Sequence, residues 1–391
     1  MGAAMASHLL SAGYSLIIYA RSPSKASSLL SQGAHLAHSP HQLARQSDVV
    51  FTMVGNPQDV NQIVLQPNGI LSTLNPGAVI VDHTSSSPSL ARQIYASARE
   101  KGWIGIGVMG AAMASHLLSA GYSLIIYARS PSKASSLLSQ GAHLAHSPHQ
   151  LARQSDVVFT MVGNPQDVNQ IVLQPNGILS TLNPGAVIVD HTSSSPSLAR
   201  QIYASAREKG CWSVDAPVSG GDIGAREGKL AIFAGGERPV VEWLTPLLDL
   251  MGRVTYMGEA GCGQSCKIGN QIMVGANLIG LSEGFVFAEK AGLELSKYME
   301  AIRGGGAGSM AMELFGRRMI ERDFKPGAFV EYLVKDLGMG VDVVKEEEDE
   351  RVLVLPGAAL CKQLFSSMVA NGDGKLGIQG LITVVERING K

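Results

Sequence analysis

The sequence is short of charge, aromatic residues and cysteine. Charged residues make up 16% of its 391 positions and aromatic residues 5%, and 31 Lys and Arg face 32 Asp and Glu, a formal net charge of -1. That balance leaves no global field to draw the chain to nucleic acid or to an anionic membrane, so neither is expected as a partner. The four cysteines, Cys211, Cys262, Cys266 and Cys361, have no C-x-x-C spacing and no histidine beside them. This argues against a zinc site and a disulfide framework and suits a reducing compartment. The longest apolar run, residues 272–281, is too short to span a bilayer, so no transmembrane helix is predicted. Residues 1–10 have no basic stretch ahead of their apolar one and resemble no targeting peptide. A cytoplasmic chain is therefore expected, with an organellar one as the alternative if a transit peptide is missing from it. Histidine is absent from the whole C-terminal half: all ten lie between His8 and His191, so proton transfer there must fall to another side chain.

At this length two or three domains with large cores are expected. Residues 1–102 recur without a difference as residues 109–210. Structural repeat families drift apart while keeping a much shorter period, so a perfect long repeat marks a recent duplication or an artefact of gene assembly. The first copy begins at Met1-Gly2, the counterparts of Met109-Gly110, and so lacks whatever precedes Met109 in the second.

What precedes it is residues 103–110, Trp-Ile-Gly-Ile-Gly-Val-Met-Gly. A short apolar run, residues 103–106, leads through Gly105, Gly107 and Gly110 at G-x-G-x-x-G spacing into an amphipathic run with Met113, Leu117 and Leu118. That is the strand, turn and helix of a dinucleotide-binding unit. The glycines allow a sharp turn, close approach to a pyrophosphate and tight helix packing, and the helix-opening N–H groups face the anion. Gly105, Ile106, Gly107, Val108, Met109 and Gly110 are thus candidate cofactor contacts. The second copy continues as strand–helix units, with strands at 123–127, 156–162 and 186–190 and helices at 132–140, 165–173 and 196–208, the pattern of a parallel sheet covered on both faces. Loops at the carboxyl ends of such strands line the ligand crevice, which puts Val162-Gly163 and Thr192-Ser193 beside the cofactor. Copy one, without its first strand, has no phosphate turn and should bind no dinucleotide.

An NAD site needs an Asp or Glu about 20 residues past the glycines to hold the ribose hydroxyls. Here the segment reads Tyr127-Ala-Arg-Ser-Pro-Ser-Lys133, with no acid. Arg129 and Ser130, with Lys133 as a further candidate, read as a clamp for a 2′-phosphate, hence NADP over NAD. The bland alternative is a solvated arginine on a loop. Further on, Ser219-Gly220-Gly221 offers unhindered N–H groups able to grip a carboxylate, or forms a plain Gly-rich hairpin turn. From Gly261 to about Leu293 the pattern is one long helical run, and the remainder is mainly helical. Lys267 opens that run among uncharged neighbours, with Asn270 and Gln271 one turn on. It is either a snorkelling surface lysine or, in a dry cleft, a general acid/base. His143, His146 and His149 have ligand-like spacing, but three-residue steps around Pro148 suit a loop entering a helix, and no metal is expected.

Five ordered motifs carry a family resemblance: Gly105-Ile-Gly-Val-Met-Gly-Ala-Ala-Met113, Asp190-His-Thr-Ser193, Asp215-Ala-Pro-Val-Ser-Gly-Gly221, Lys267-x-x-Asn270 and Lys335-Asp-Leu337. From Trp103 onward the chain resembles the β-hydroxyacid dehydrogenases, which include 3-hydroxyisobutyrate dehydrogenases and plant glyoxylate/succinic semialdehyde reductases. The resemblance implies an NADP-dependent enzyme, NAD being the alternative, that interconverts a small β-hydroxyacid and its semialdehyde or keto form. It implies Lys267 as acid/base, Asn270 and Gln271 as orienting groups, Ser219, Gly220 and Gly221 on the substrate carboxylate, Ser193 on the nicotinamide side and Lys335 reaching the cofactor. The expected architecture is α/β: a doubly wound Rossmann domain (103–258), an all-α substrate and dimerisation domain (259–391) entered by a long interdomain helix, and a truncated duplicate ahead of both (1–102). A homo-oligomer is expected. The rival class is an inactive dinucleotide-binding protein obstructed by the duplicate.

Overall fold

The computed structural model describes residues 1–66, 68–74, 78–88, 90–91, 94, 101–346 and 353–391. It forms two compact units, one of residues 1–100 with 121–123 and one of residues 101–120 with 124–391.

The second unit holds a nine-stranded sheet. Its strands are β1 (Lys101–Ile104), β2 (Leu124–Tyr127), β3 (His143–Leu144), β4 (Val157–Thr160), β5 (Val187–Asp190), β6 (Trp212–Asp215), β7 (Val218–Ser219), β8 (Leu230–Gly235) and β9 (Gly252–Gly258). The order runs β3–β2–β1–β4–β5–β6–β8–β7, with β9 also on β8; the first six strands are parallel, in the doubly wound dinucleotide-binding order. All four residues of β4 and of β5 are buried, as expected of strands covered on both faces. The covering helices start where side chains cap them: Ser147, Asn164 and Ser195 accept from backbone N–H groups three residues on, each followed by a proline.

Several boundaries differ from the sequence reading. The first strand is Lys101–Ile104, not 103–106, because Gly105 already turns the chain at φ 95°; a Cβ there would lie 2.1 Å from Met161 O. Residues 132–140 are a 3-10 turn, Pro131–Ala134, before the short helix Ser135–Ser139, and His143–Leu144 is a strand where a loop was expected. Most other elements are shorter by one or two residues at an end.

After the sheet, α1 (Cys262–Lys290) runs 29 residues, and α2 (Val330–Glu346), α3 (Pro356–Ala370) and α4 (Leu381–Ile388) pack around it. By length and composition alone α1 could cross a membrane, contrary to the reading of its longest apolar run. Its inner face, however, forms a core: Leu278, Leu281, Phe285 and Val286 are buried with Leu333, Leu337, Phe365 and Leu381. That is the pattern of a core helix. The acidic run of residues 346–350, whose charge suits a solvated helix face, lies beyond Glu346 outside the described residues.

The first unit shows the expected gap. Ile17–Ile18 pairs with His35–Leu36 and Val49–Thr52 with Val79–Asp82, as two separate two-stranded sheets. Identical residues differ accordingly: Val157 and Phe159 are fully buried, whereas Val49 is 45% and Phe51 48% exposed. A thiol placed at each position reads this directly. Val49→Cys is expected to react with a maleimide faster than Val157→Cys, on the order of tenfold or more, since the second must await local opening; equal rates would show that the two sites are equally covered.

Candidate active site

The phosphate turn is built by exclusion. A Cβ at Gly110 would sit 1.9 Å from Gly105 O, so the helix Val108–Ser119 can approach the turn only as glycine. Gly107, in contrast, has nothing within 4 Å of its missing Cβ. It is the N-cap of that helix and supplies no side-chain cap, so the opening N–H groups at Val108, Met109 and Gly110 have no side chain capping them. Ile106 is buried beneath the turn, and Val108 is 68% exposed beside the open side. An uncapped helix start with an open glycine at its mouth fits a pyrophosphate. Gly110→Ala is expected to destabilise the fold by several kcal/mol through the clash. Gly107→Ala should keep the wild-type Tm yet weaken dinucleotide binding; thermal melts with and without cofactor separate the two cases.

Trp103 supports this turn from the sheet. It is fully buried, its Nε1 donates to Gly105 O (3.2 Å), and it stacks on Phe159 at 5.0 Å and His191 at 5.8 Å. His191 Nδ1 lies 2.7 Å from Ala216 O, and burial pushes its pKa down to about 4, so it stays neutral at physiological pH. Next to it, Asp190 Oδ1 accepts from Thr160 Oγ1 (2.7 Å) and Thr192 N (3.0 Å), and Thr192 Oγ1 accepts from Val162 N (3.0 Å). Burial raises the Asp190 pKa to about 6, against the pull of those hydrogen bonds. The network fixes the loops that carry Val162-Gly163 and Thr192-Ser193, both at the carboxyl ends of their strands.

Arg129 and Ser130 follow β2, whose Tyr127 pairs with Ile104 at the end of β1. The Arg129 side chain is 79% exposed, and its nearest acid is Asp167 at 3.7 Å. So weak a surface pair leaves the guanidinium free to swing to a phosphate.

The start of α1 is anchored on the sheet. Asp215, ending β6, accepts from Gly261 N and Gln264 N, both at 2.8 Å. Gln264, fully buried, donates to Thr192 O (2.7 Å) and accepts from Ser194 N (2.8 Å). Gly263 is obligatory, since a Cβ would meet Phe233 O at 2.3 Å. Burial raises the Asp215 pKa to about 7 despite its two backbone donors.

One turn beyond Gln264, Lys267 is 7% exposed and makes no hydrogen bond or ion pair among the described residues. Burial holds its pKa below the usual lysine value; Asp336 pulls it back up and Lys335 pushes it further down. Gln271 Nε2 donates to Asp336 Oδ2 (3.1 Å), while Asn270 Oδ1 is buried without a partner among the described residues. Lys335, on α2, donates to Ser193 O (2.7 Å) and points at Gly163 O (3.5 Å). Its Nζ is 3.2 Å from Asp336 Oδ1, off the line of a hydrogen bond, so that oxygen too is unpartnered.

Lys267, Asn270, Gln271, Lys335, Ser193 and Gly163 thus belong to one linked region. Ser219-Gly220-Gly221 is tied in differently. Gly220 (φ 133°) and Gly221 (φ 63°) open the helix Gly221–Glu227, which is held to the phosphate-turn helix by His116 Nε2 and Ala225 O at 2.8 Å. No hydrogen bond joins this turn to Lys267 among the described residues. The sequence reading did not single out Gln264 and named Asp336, Asp190 and Thr192 only within motifs; the bonds Thr160–Asp190, Gln264–Thr192 and Gln271–Asp336 span 30 to 72 residues and have no local signature.

The comparisons with known proteins agree with this architecture. The NAD binding domain of 6-phosphogluconate dehydrogenase matches twice, at residues 1–103 and 100–258. The NAD-binding domain of NADP-dependent 3-hydroxyisobutyrate dehydrogenase matches residues 261–385. The "Probable 3-hydroxyisobutyrate dehydrogenase-like 3, mitochondrial" of Arabidopsis thaliana is 58% identical over 289 residues, 74% of this chain and 88% of that protein. The 2-hydroxy-3-oxopropionate reductase of Escherichia coli is 38% identical, covering 73% and 96%. A solved structure of the 3-hydroxyisobutyrate dehydrogenase of Mycobacterium tuberculosis with L-serine aligns with a TM-score of 0.67 at 27% identity, covering 73% of this chain and 99% of that one. Fold and site therefore define an NAD(P)-dependent oxidoreductase acting on CH–OH donors. The chain belongs to the β-hydroxyacid dehydrogenase family.

Proposed function

We propose that residues 101–391 catalyse NADP(H)-dependent interconversion of a small β-hydroxyacid and its semialdehyde, with Lys267 as the proton carrier. The observation that supports this best is Lys267 itself: a buried lysine with no hydrogen bond or ion pair among the described residues, one turn before Asn270, whose Oδ1 is also unpartnered among them, at the start of a helix pinned to the cofactor loops. When bound, the nicotinamide supplies or accepts the hydride. In the reductive direction Lys267 gives its proton to the oxygen of the developing alkoxide and is reprotonated from solvent. In the oxidative direction the neutral amine takes the hydroxyl proton. Ser219, Gly220 and Gly221 offer N–H groups to the substrate carboxylate, while Asn270 and Gln271 orient the carbon that reacts. Lys335 holds the Ser193 and Gly163 loops from the helical side. The exposed Arg129 and the missing acid after β2 support NADP over NAD.

The relatives' names bear on substrate and place. A dehydrogenase solved with L-serine and a reductase of 2-hydroxy-3-oxopropionate both handle a hydroxyl or carbonyl near a carboxylate, which supports a β-hydroxyacid; a glyoxylate or succinic semialdehyde reductase is the neighbouring choice. The mitochondrial location in the plant relative's name supports an organellar place over the cytoplasmic one expected from residues 1–10. We assign cofactor binding to residues 103–258 with β1 extended back to Lys101, and substrate binding and dimerisation to residues 259–391.

The test is a screen of hydroxyacids and semialdehydes with NADPH and NADH, run on the full chain and on a chain lacking residues 1–100. The reading expects turnover of a β-hydroxyacid pair with NADP(H) preferred; a strong NAD preference would remove the role of Arg129. Activity only in the shortened chain would favour the obstructed-protein reading, and no dinucleotide binding in either would defeat both.

A further inference from the structure

The first unit contains an empty place in a sheet whose filled counterpart is visible in the same molecule. Because residues 1–102 and 109–210 are identical, the strands that flank β1, namely β2 and β4, have twins at residues 16–19 and 49–52. In the second unit Lys101–Ile104 pairs with both flanking strands, residue for residue. In the first unit, among the described residues, Ile17–Ile18 and Val49–Thr52 each pair on one side only. The side chains report the same vacancy. Phe159 stacks on both Trp103 and His191, whereas its twin Phe51, among the described residues, keeps only the stack on His83, at 5.8 Å, and turns half its surface to solvent. A bare parallel edge beside apolar side chains is a template for another strand.

We propose that the first unit is a strand acceptor, whose open edge takes the Lys101–Ile104 strand of a second copy of this chain to form a strand-exchanged pair. Sequence, more than apolarity, selects this occupant. A strand reading Lys-Gly-Trp-Ile would recover in the first unit the backbone ladder and the Trp–Phe–His stack that it makes in the second, since the receiving residues are the same. Exchange of an element between chemically equal sites is a low-cost route to association. The strand leaves its own place in the second unit, so the exchange trades one copy of this ladder and stack for an equal one. The exchange is set during folding, while the strand is free, and it does not depend on the catalytic assignment.

The test is refolding of the full chain at low and high concentration, followed by sedimentation, for the wild type, Phe51→Asp and Val49→Lys. Both positions are half exposed in the first unit and outside the proposed machinery, and circular dichroism checks that the variants fold. The wild type should show an associated fraction that grows with refolding concentration, beyond any assembly the variants form. Each variant should reduce that fraction about tenfold or more, because Phe51→Asp sets a charge where the incoming Trp103 would stack and Val49→Lys sets a second lysine opposite the incoming Lys101. A fluorescein-labelled peptide of residues 101–110, present during refolding, should be captured by the wild type and not by the variants. Association or capture that is indifferent to both substitutions overturns the proposal. Peptide capture without concentration-dependent association overturns the second copy as occupant, since the slot would then be filled from its own chain.

Discussion

Lys267→Ala is expected to lower turnover by about 10² to 10⁴, the usual contribution of a positioned acid/base, while leaving dinucleotide binding within a few-fold of wild type. The separation follows from the geometry. The phosphate turn is made by Gly105, Gly107 and Gly110, and α1 is pinned to the sheet by Asp215 and Gln264, so removing the Lys267 side chain disturbs neither. The wild-type pH profile should carry the same signature. Burial lowers the Lys267 pKa below its ordinary value of 10.5. In the reductive direction the protonated form is needed, so the rate should fall as pH rises through that lowered pKa; in the oxidative direction it should rise through it. Wild-type-like turnover in Lys267→Ala, or an alkaline limb that survives the substitution, would remove Lys267 from the mechanism.

Trp103→Ala should be nearly as damaging for a different reason. Truncating a fully buried tryptophan costs about 3–5 kcal/mol, and here it also removes the donor to Gly105 O and the partner of Phe159 and His191. Tm should fall steeply, and dinucleotide binding should weaken even where the protein remains folded, because the turn loses its support. Trp103→Phe, which keeps the stack but not the N–H, should restore most of the stability and less of the binding. Equal binding in all three would show that the turn holds itself. The first unit is the natural control: it has the twins of Phe159 and His191 but no tryptophan, and its Phe51 is exposed.

Much of the cofactor half was legible because its signals are local. G-x-G-x-x-G spacing, the alternation of strands with capped helices, and the position of Lys267 at the head of a long helical run each need only neighbours in sequence. The anchors of the site were not legible. Gln264 reaches Thr192 and Ser194, and Gln271 reaches Asp336, across 65 to 72 residues, and one buried glutamine looks like any other until the chain is folded. The Ser219–Gly221 stretch, read as a turn, instead ends β7 and opens the helix Gly221–Glu227, and its attachment through His116 to the phosphate-turn helix was invisible.

The duplicate shows most directly what sequence determines. At many described positions identical residues give the same local structure in both units: the helix Pro57–Val64 and its twin Pro165–Val172 carry the same asparagine cap, and Thr52, Asp82 and Thr84 repeat the network of Thr160, Asp190 and Thr192. The caps are satisfied within three residues and the Thr–Asp–Thr network lies wholly inside the repeated segment, so both persist in either unit. The dipeptide Lys-Gly was decided otherwise. At 101–102 it is buried β-strand, whereas at 209–210 it closes a helix, with Gly210 at φ 68°. Burial of Phe159 and exposure of Phe51 were decided the same way, by whether a strand from elsewhere in the chain fills the place beside them. Short-range hydrogen bonding belongs to the sequence; membership of a sheet belongs to the tertiary structure, because the strand that completes it is supplied from outside the segment.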